Sequence, residues 1–463
     1  MGDLLLELFS EEIPARMQSY AEEDLKRLLG ESLKAEKLEF LKMESFSTPR
    51  RITISIEGLP LTQADIKEQR RGPILDAPKQ AIEGFLRSAG VSLTDCIEVE
   101  EKKGIFLFAV IEKEGRNTKD ILAEIIPSVL QKFPWPKSQR WGDGSLRWVR
   151  PLKSIICLID GEVIDFEMGG IKSGNITKGH RFMAPEELMV KDFVDYANQL
   201  QGAYVMIDPG ERCDLISARS VELAKSVGLE FVNDQALLNE VAGLVEWPVP
   251  ILGKFDKAFM KVPEEALVSE LKHHQKYFAL KDKTGNLAPY FICTANIEGK
   301  VDLIRAGNER VLGARLSDAK FFWDQDLKTP LIENMSKLKD IIFHEKLGSI
   351  QEKVLRVAVL AEGLASIIPN CDPSKAKRAA ELAKADLVTG MVGEFPDLQG
   401  IMGSYYAKAQ GEVFEVVLAM AEHYAPQGPN DICPTAPESV AVAIADKIDS
   451  LLEFFAIDEK PTG

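Results

Sequence analysis

Apolar residues recur along this chain with two different periods. Leu4–Leu8 is an almost unbroken apolar run, suited to a buried strand. Arg51-Ile52-Thr53-Ile54-Ser55-Ile56 alternates strictly, which predicts a half-buried strand with its isoleucines inward. Between these, Met17, Leu25, Leu28, Leu29 and Leu33 fall at helical spacing behind Pro14, a residue favoured at a first helical turn. Ala81–Ala89 reads as a helix stopped by Gly90. Gly104–Glu112 reads as a strand. Thr118–Phe133 reads as a helix interrupted or kinked by Pro127.

Phe133-Pro134-Trp135-Pro136-Lys137 cannot form a regular helix and marks a boundary. Strand-like runs follow, from Leu152–Asp160 to about residue 300, interleaved with helical segments such as Asp208–Val227 and Glu264–Phe278. From Leu331 onward strand patterns vanish. Amphipathic helices are predicted over Lys353–Ile368, Ser374–Val392, Gly411–His423 and Ser439–Phe455. The expected fold class is multidomain α+β. Mixed α/β regions over residues 1–135 and 136–330 precede an all-α region over 331–463, with a boundary near Thr329-Pro330.

A chain of 463 residues is too long for one core, and its 45% hydrophobic content is that of a globular protein. No apolar run is long enough to span a bilayer, and Met1–Glu7 lacks the basic start and long apolar stretch of a signal peptide. The cytoplasm is therefore expected, with no membrane partner. The six cysteines are scattered and no CxxC occurs, which points to free thiols rather than a zinc site. A net charge of −16 argues against indiscriminate nucleic-acid binding but leaves room for a local basic patch.

One such patch stands out. Lys132, Lys137, Arg140, Arg147, Arg150 and Lys153 share a short span whose one acid is Asp143, and Trp135, Trp141 and Trp148 are interleaved with them. Cations neutralise phosphate, and indoles stack on unpaired bases. Equally, the tryptophans could sit in a core with arginines covering them. Lys178, His180 and Arg181 form a smaller candidate patch, for which a surface turn with a structural histidine is the other reading. Activation chemistry finds no support. The chain contains no His-Ile-Gly-His string, no P-loop and no HExxH, and no convincing class II arginine set.

The run Gly307–Asp324 is the most distinctive. Arg305, Arg310, Arg315 and Lys320 recur every five residues, so a helix here would spread its cations around the cylinder. Salt bridges from Glu309 and Asp318 and a core role for Phe321, Phe322 and Trp323 are one reading; a face for RNA or a partner is the other. The run resembles the core signature of the β-subunit of bacterial heterotetrameric glycyl-tRNA synthetase. Glu11–Arg16, Thr48–Arg51, Arg71–Pro73, Arg140–Gly142, Gly179–Phe182, Leu244–Pro248, His274–Phe278 and Gly393–Gly400 fit the same family in the same order. That resemblance implies a tRNA-handling, non-catalytic subunit. It places no cofactor on this chain, puts ATP and Mg²⁺ on a separate α-subunit, and makes that subunit (as α2β2) and tRNA(Gly) the partners. It also implies tRNA-binding roles for Lys137, Arg140, Trp141, Arg147, Arg150, His180 and Arg181. Family chains continue into an anticodon-binding domain beyond Gly463, so a truncated chain is expected.

Two further likenesses refine the expectation. The middle region is similar to the B3/B4 modules of phenylalanyl-tRNA synthetase. The helical region resembles a degenerate HD phosphohydrolase domain, in which Lys353, Ala385, Asp386 and Asp446 occupy the ligand positions and His423 is a possible auxiliary. An ammonium at Lys353 is a poor metal ligand, and pairing it with Asp386 or Asp446 would fill the ion's place. A working metal-dependent phosphohydrolase, or an assembly scaffold with no RNA contact, are the rival functions.

Overall fold

The computed structural model describes residues 1–101 and 104–460. Two compact units emerge, and the chain enters each more than once. Met1–Arg219, Gln235–Val249 and Thr294–Gly299 form the first; Ser220–Asp234, Pro250–Cys293 and Lys300–Gly463 form the second. The architecture is multidomain α+β, as the patterning implied.

The first unit is built on a mixed sheet. Its central strand, Gly2–Ser10, pairs antiparallel with Arg51–Leu59 on one side and Leu152–Ile159 on the other. Lys42–Thr48 extends one edge, and Ile171–Gly174 joins the other in parallel. Register explains the burial. Leu6 lies opposite Ile54 and Cys157, and Leu4, Leu6 and Leu8 share one face. That face packs on the Ala15–Ala35 helix through Leu25, Leu29 and Leu33, and on the Thr118–Gln131 helix through Ile121, Leu122 and Ile126. Pro127 is accommodated within the latter helix. The opposite face is covered too: Leu5, Ile156 and Leu158 pack with Tyr196 and Leu200 of the Phe193–Gly202 helix. Arg51–Ile56 is thus buried on both faces rather than on one, because a second helix covers the side that alternation assigned to solvent. A three-stranded antiparallel sheet (Ile66–Ile74, Gly104–Lys113, Cys96–Glu101) is inserted between the Arg51–Leu59 strand and the Thr118–Gln131 helix, its two ends brought together by a Thr62–Asn117 bridge. Its helix, Lys79–Ala89, ends at Gly90 with φ +66°, as expected for a left-handed stop.

Polar groups fill the middle of the covered second face. Arg51 is fully buried. Its Nε donates to Glu7 at 3.2 Å, while its two terminal nitrogens donate to Glu246 and to the Lys178 carbonyl. Tyr196 donates to Glu7 at 2.6 Å and Thr48 to Glu246 at 2.9 Å. Burial alone would lower the Arg51 pKa, but Glu246 and Glu7 together hold it above its ordinary value.

The second unit holds a four-stranded antiparallel sheet in the order Glu230–Phe231, Phe278–Lys281, Leu287–Ala295, Val249–Lys254. Glu264–Phe278, expected as one helix, is helical only to Ser269 and ends in a widened turn over Glu270–His274; Phe278 begins a strand. The bond from His274 to the buried Glu270 carboxylate, at 2.7 Å, lies within that turn. Val301–Asp326 is one continuous helix carrying the distinctive run, with Leu312, Leu316 and Ala319 as its buried contacts. Glu309 accepts from the Lys254 amide rather than bridging an arginine, and Phe321 is exposed while Trp323 stacks on Tyr406. The helical region that follows contains one small hairpin, Ile342–His344 with Gly348–Ser349, too short to register as periodicity. Ser374–Val392 is also broken, into Pro373–Leu382 and Gly390–Glu394 with a tight turn between.

Replacing Arg51 with Met leaves Glu7 and Glu246 buried without their cation. The expected cost is about 3–5 kcal/mol, seen as a lowered unfolding midpoint in urea; a midpoint within error of the parent chain would remove this network from the account of stability.

Candidate functional site

The basic stretch leaves the Thr118–Gln131 helix and returns to the sheet at Leu152. Its middle is pinned by paired main-chain hydrogen bonds between Gln139 and Trp148, at 2.9 and 3.1 Å. Trp148 is fully buried in the sheet–helix core. Phe133 and Trp135 pack against it, with ring centroids 5.2 and 5.0 Å away, and Trp141 is half-buried beside them. The indoles therefore anchor the loop, and Trp148 has no face left for a base. The cations lie outside: Lys137, Arg140, Arg147 and Arg150 are exposed.

The structure commits some of these cations internally. Arg147 donates to Ser138, and Arg150 donates to the Glu12 carbonyl at 3.1 Å. Lys153 pairs with Glu11 at 3.2 Å, and Arg181 with Glu11 at 2.6 Å and Glu12 at 3.3 Å. Arg181, from the second sequence patch, is thereby brought to the rim of the first. Burial would push the Glu11 carboxyl up, but the Lys153 ammonium and the Arg181 and Arg50 guanidinia outweigh it and hold it below the ordinary range. His180 does not face solvent. It is buried, and its Nδ1 accepts from the amides of Phe182 and Met183, each at 3.3 Å, so it shapes the turn that presents Arg181. Sequence reasoning missed the acidic partners, Glu11 and Glu12, because they precede the arginines they meet by 138 to 170 residues.

In the helical region, a capping box sets the start of the Ile350–Ala365 helix: the Ser349 hydroxyl caps the Glu352 amide and Glu352 accepts from the Ser349 amide. This places Lys353 on the first turn, with its side chain buried. Its ammonium lies 3.3 Å from Asp446 and 3.2 Å from Asp449, both on the Pro437–Ala456 helix, and donates to Ser450 at 2.7 Å. Lys384 reaches the same Asp446 oxygen at 3.2 Å, with its ammonium over the Tyr424 ring. Asp386 turns away from both lysines to accept the amides of Gly400 and Gly403, at 2.6 and 2.8 Å, while Ala385 is buried beside it. His423 donates from Nδ1 to the Met420 carbonyl, and its Nε2 has no partner among the described residues. Lys384 and Asp449 were not anticipated. Each had a faint signal, Lys384 adjoining Ala385-Asp386 and Asp449 one helical turn beyond Asp446.

This centre does not fit a metal. Two ammonium groups already crowd the Asp446 carboxylate, and a cation there would meet both of them. Among the described residues no three His, Cys, Asp or Glu side chains gather as a ligand set. The electrostatics follow from burial. It pushes the Asp386 carboxyl up to about 6 and, with help from Lys384, the His423 imidazole down to about 3.

Comparison with known proteins decides the lineage. Residues 4–463 match the model of the glycyl-tRNA synthetase beta subunit family. The chain is 50% identical to the glycine–tRNA ligase beta subunit of Phenylobacterium zucineum over 470 residues, covering 100% of this chain and 70% of that protein. The corresponding proteins of Rhodospirillum centenum and Paracoccus denitrificans are 48% and 49% identical, each with all of this chain and 69% of the relative covered. The chain belongs to the glycyl-tRNA synthetase beta subunit family. Both the basic loop and the buried lysine–aspartate centre are thus features of a member of that family.

The two buried titrating groups act in opposite directions. His423 takes up a proton in the unfolded chain near 6.5 but in the fold only at about 3, so it makes stability rise with pH between those values. Asp386, with its folded pKa raised to about 6, makes stability fall as pH climbs from 3.8 to that value. Replacing His423 with Gln should lower the slope of unfolding free energy between about pH 4 and 6 by about 1.4 kcal/mol per pH unit. Urea midpoints across that range give the slope, and an unchanged slope would mean His423 is not held neutral.

Proposed function

We propose that this chain is the tRNA-handling, non-catalytic subunit of a cytoplasmic glycyl-tRNA synthetase, acting beside an α-subunit in an α2β2 assembly. Glycine, ATP and Mg²⁺ are bound on that α-subunit. The observation that carries the reading is the family match over residues 4–463, together with relatives that are glycine–tRNA ligase beta subunits. On this reading the chain accelerates the reaction by holding one reactant. Fixing tRNA(Gly) beside a glycyl-adenylate formed elsewhere removes translational and rotational entropy from the transfer step.

The exposed cations around the basic loop supply the contact. Lys137 and Arg140 meet no carboxylate in the ion pairs among the described residues of the first unit, so nothing there competes with phosphate for them. Arg147 is braced by Ser138, and Arg181 sits at the same rim, ordered by Glu11 and Glu12. Trp141, half-buried, supports the loop and keeps part of its ring accessible to a base. His180 contributes from inside by shaping the turn. The helical region is read as a relic of an HD-like centre. Lys353, Ala385, Asp386 and Asp446 stand at the former ligand positions, and lysine ammonium groups take the place of an ion.

Substituting Lys137, Arg140 and Arg147 together with Ala should weaken tRNA(Gly) binding and flatten its salt dependence by about one unit of slope for each phosphate no longer neutralised. Binding isotherms at two salt concentrations measure both. A folded triple variant with unchanged affinity and slope would leave the chain as an assembly scaffold at this surface.

A further inference from the structure

A cleft of about 560 Å³ opens in the first unit, with no residue of the basic loop in its lining. It lies between the start of the Ala15–Ala35 helix, the end of the Lys42–Thr48 strand, and the Pro209–Ser226 and Gln235–Ala242 helices. Two buried polar clamps hold these walls in place. Gln18 donates from Nε2 to the carbonyls of Ile13 and Gly243, at 2.9 and 2.7 Å. Arg212, fully buried, donates to the carbonyls of Ala242, Met206 and Ser47, at 2.9, 2.6 and 2.8 Å. Gly243 allows the close approach at one corner, since a Cβ there would stand 2.7 Å from that of Ala15.

The clamps bind main chain to main chain, so the spacing of the walls does not depend on what lies between them. Five of the lining residues are small: Ala15, Ser19, Gly210, Ala236 and Ala242. They leave a rigid space of the size that small-molecule sites occupy. Two carboxylates line it, Glu22 and Glu240. Glu22 accepts from the Ser47 hydroxyl through one oxygen, and its second oxygen has no hydrogen bond among the described residues. Burial raises the pKa of that carboxyl, against the pull of Ser47 and Arg212. A desolvated carboxylate with an unused oxygen in a preformed cleft is a receptor for a charged donor. Arg16, exposed on the first turn of the same helix, lines the cleft as well.

We propose that this cleft binds a small molecule carrying a protonated primary amine. The ammonium group donates to Glu22 beside Ser47, and a polar body no larger than a nucleoside fills the space between the helices. The proposed tRNA contact uses none of these residues, so the site is a separate property of the chain.

Cys213 lines the cleft and reports on it, while the exposed Cys433 serves as an internal reference. Glycinamide is the probe and acetamide its uncharged control. With glycinamide at about ten times its dissociation constant, N-ethylmaleimide should modify Cys213 about tenfold more slowly relative to Cys433. Acetamide should leave the ratio unchanged. Glu22→Gln, which removes a desolvated charge and so retains the fold, should abolish the protection. Ala236→Trp, filling the cleft, should slow Cys213 modification without any probe. Titration calorimetry with glycinamide reads the same binding independently of the thiol. Absence of glycinamide heat, equal protection by acetamide, or protection that survives Glu22→Gln would each overturn the proposal.

Discussion

The first unit depends on a single buried guanidinium. Arg51 lies on the central sheet, on the face that a regular alternation would give to water, and a helix has closed over it. Closing that face makes sense only if the charge is answered from several directions. Glu7 answers from the adjacent strand, Glu246 from a segment almost two hundred residues later, and the Lys178 carbonyl from the end of the Ile176–Lys178 strand. Removing a paired charge from water costs several kcal/mol per ion, and the mutual attraction recovers it only with good geometry and further hydrogen bonds such as those from Tyr196 and Thr48. The network therefore fixes which distant segments must meet on this face.

The same logic runs through the molecule at two other points. Among the described residues Arg212 donates to main-chain carbonyls and meets no carboxylate at hydrogen-bonding distance, and burial lowers its pKa to about 10. It acts as a multiple donor that ties a strand end to two helices, and the cleft beside it exists because those elements are held apart. In the second unit, Lys353 and Lys384 share Asp446, and Asp449 binds both Lys353 and Arg356. Positive charge from side chains occupies the centre of the helical bundle. Such an arrangement suits a structural centre better than one that polarises water.

The basic loop owes its shape to its apolar residues. Trp148 and its ring partners bury the base of the loop, and short main-chain pairing at Gln139 closes it. The cations are then displayed at the rim, some braced by Glu11 and Glu12 and others left open. A chain of strongly negative net charge can in this way present a local positive edge to phosphate.

Much of this was legible in the residues themselves. Apolar period located the Leu4–Leu8 strand, the helix behind Pro14 and the helices that became Ile350–Ala365 and Pro437–Ala456, and a glycine marked the left-handed stop at Gly90, because those signals are local. The motifs strung along the chain were enough to point to the family. Tertiary structure decided the rest. It buried both faces of the Arg51 strand, turned Phe278 from helix to strand, and placed Trp148 inside. It drew His180 into a turn, and it brought Glu11 to Arg181 and Lys384 to Asp446. The pairings of Arg51 with Glu246, Glu11 with Arg181 and Lys384 with Asp446 each depend on a neighbour supplied from far along the chain. Periodicity records which side of an element is apolar; it carries no information about which distant group will satisfy a charge once water has been excluded.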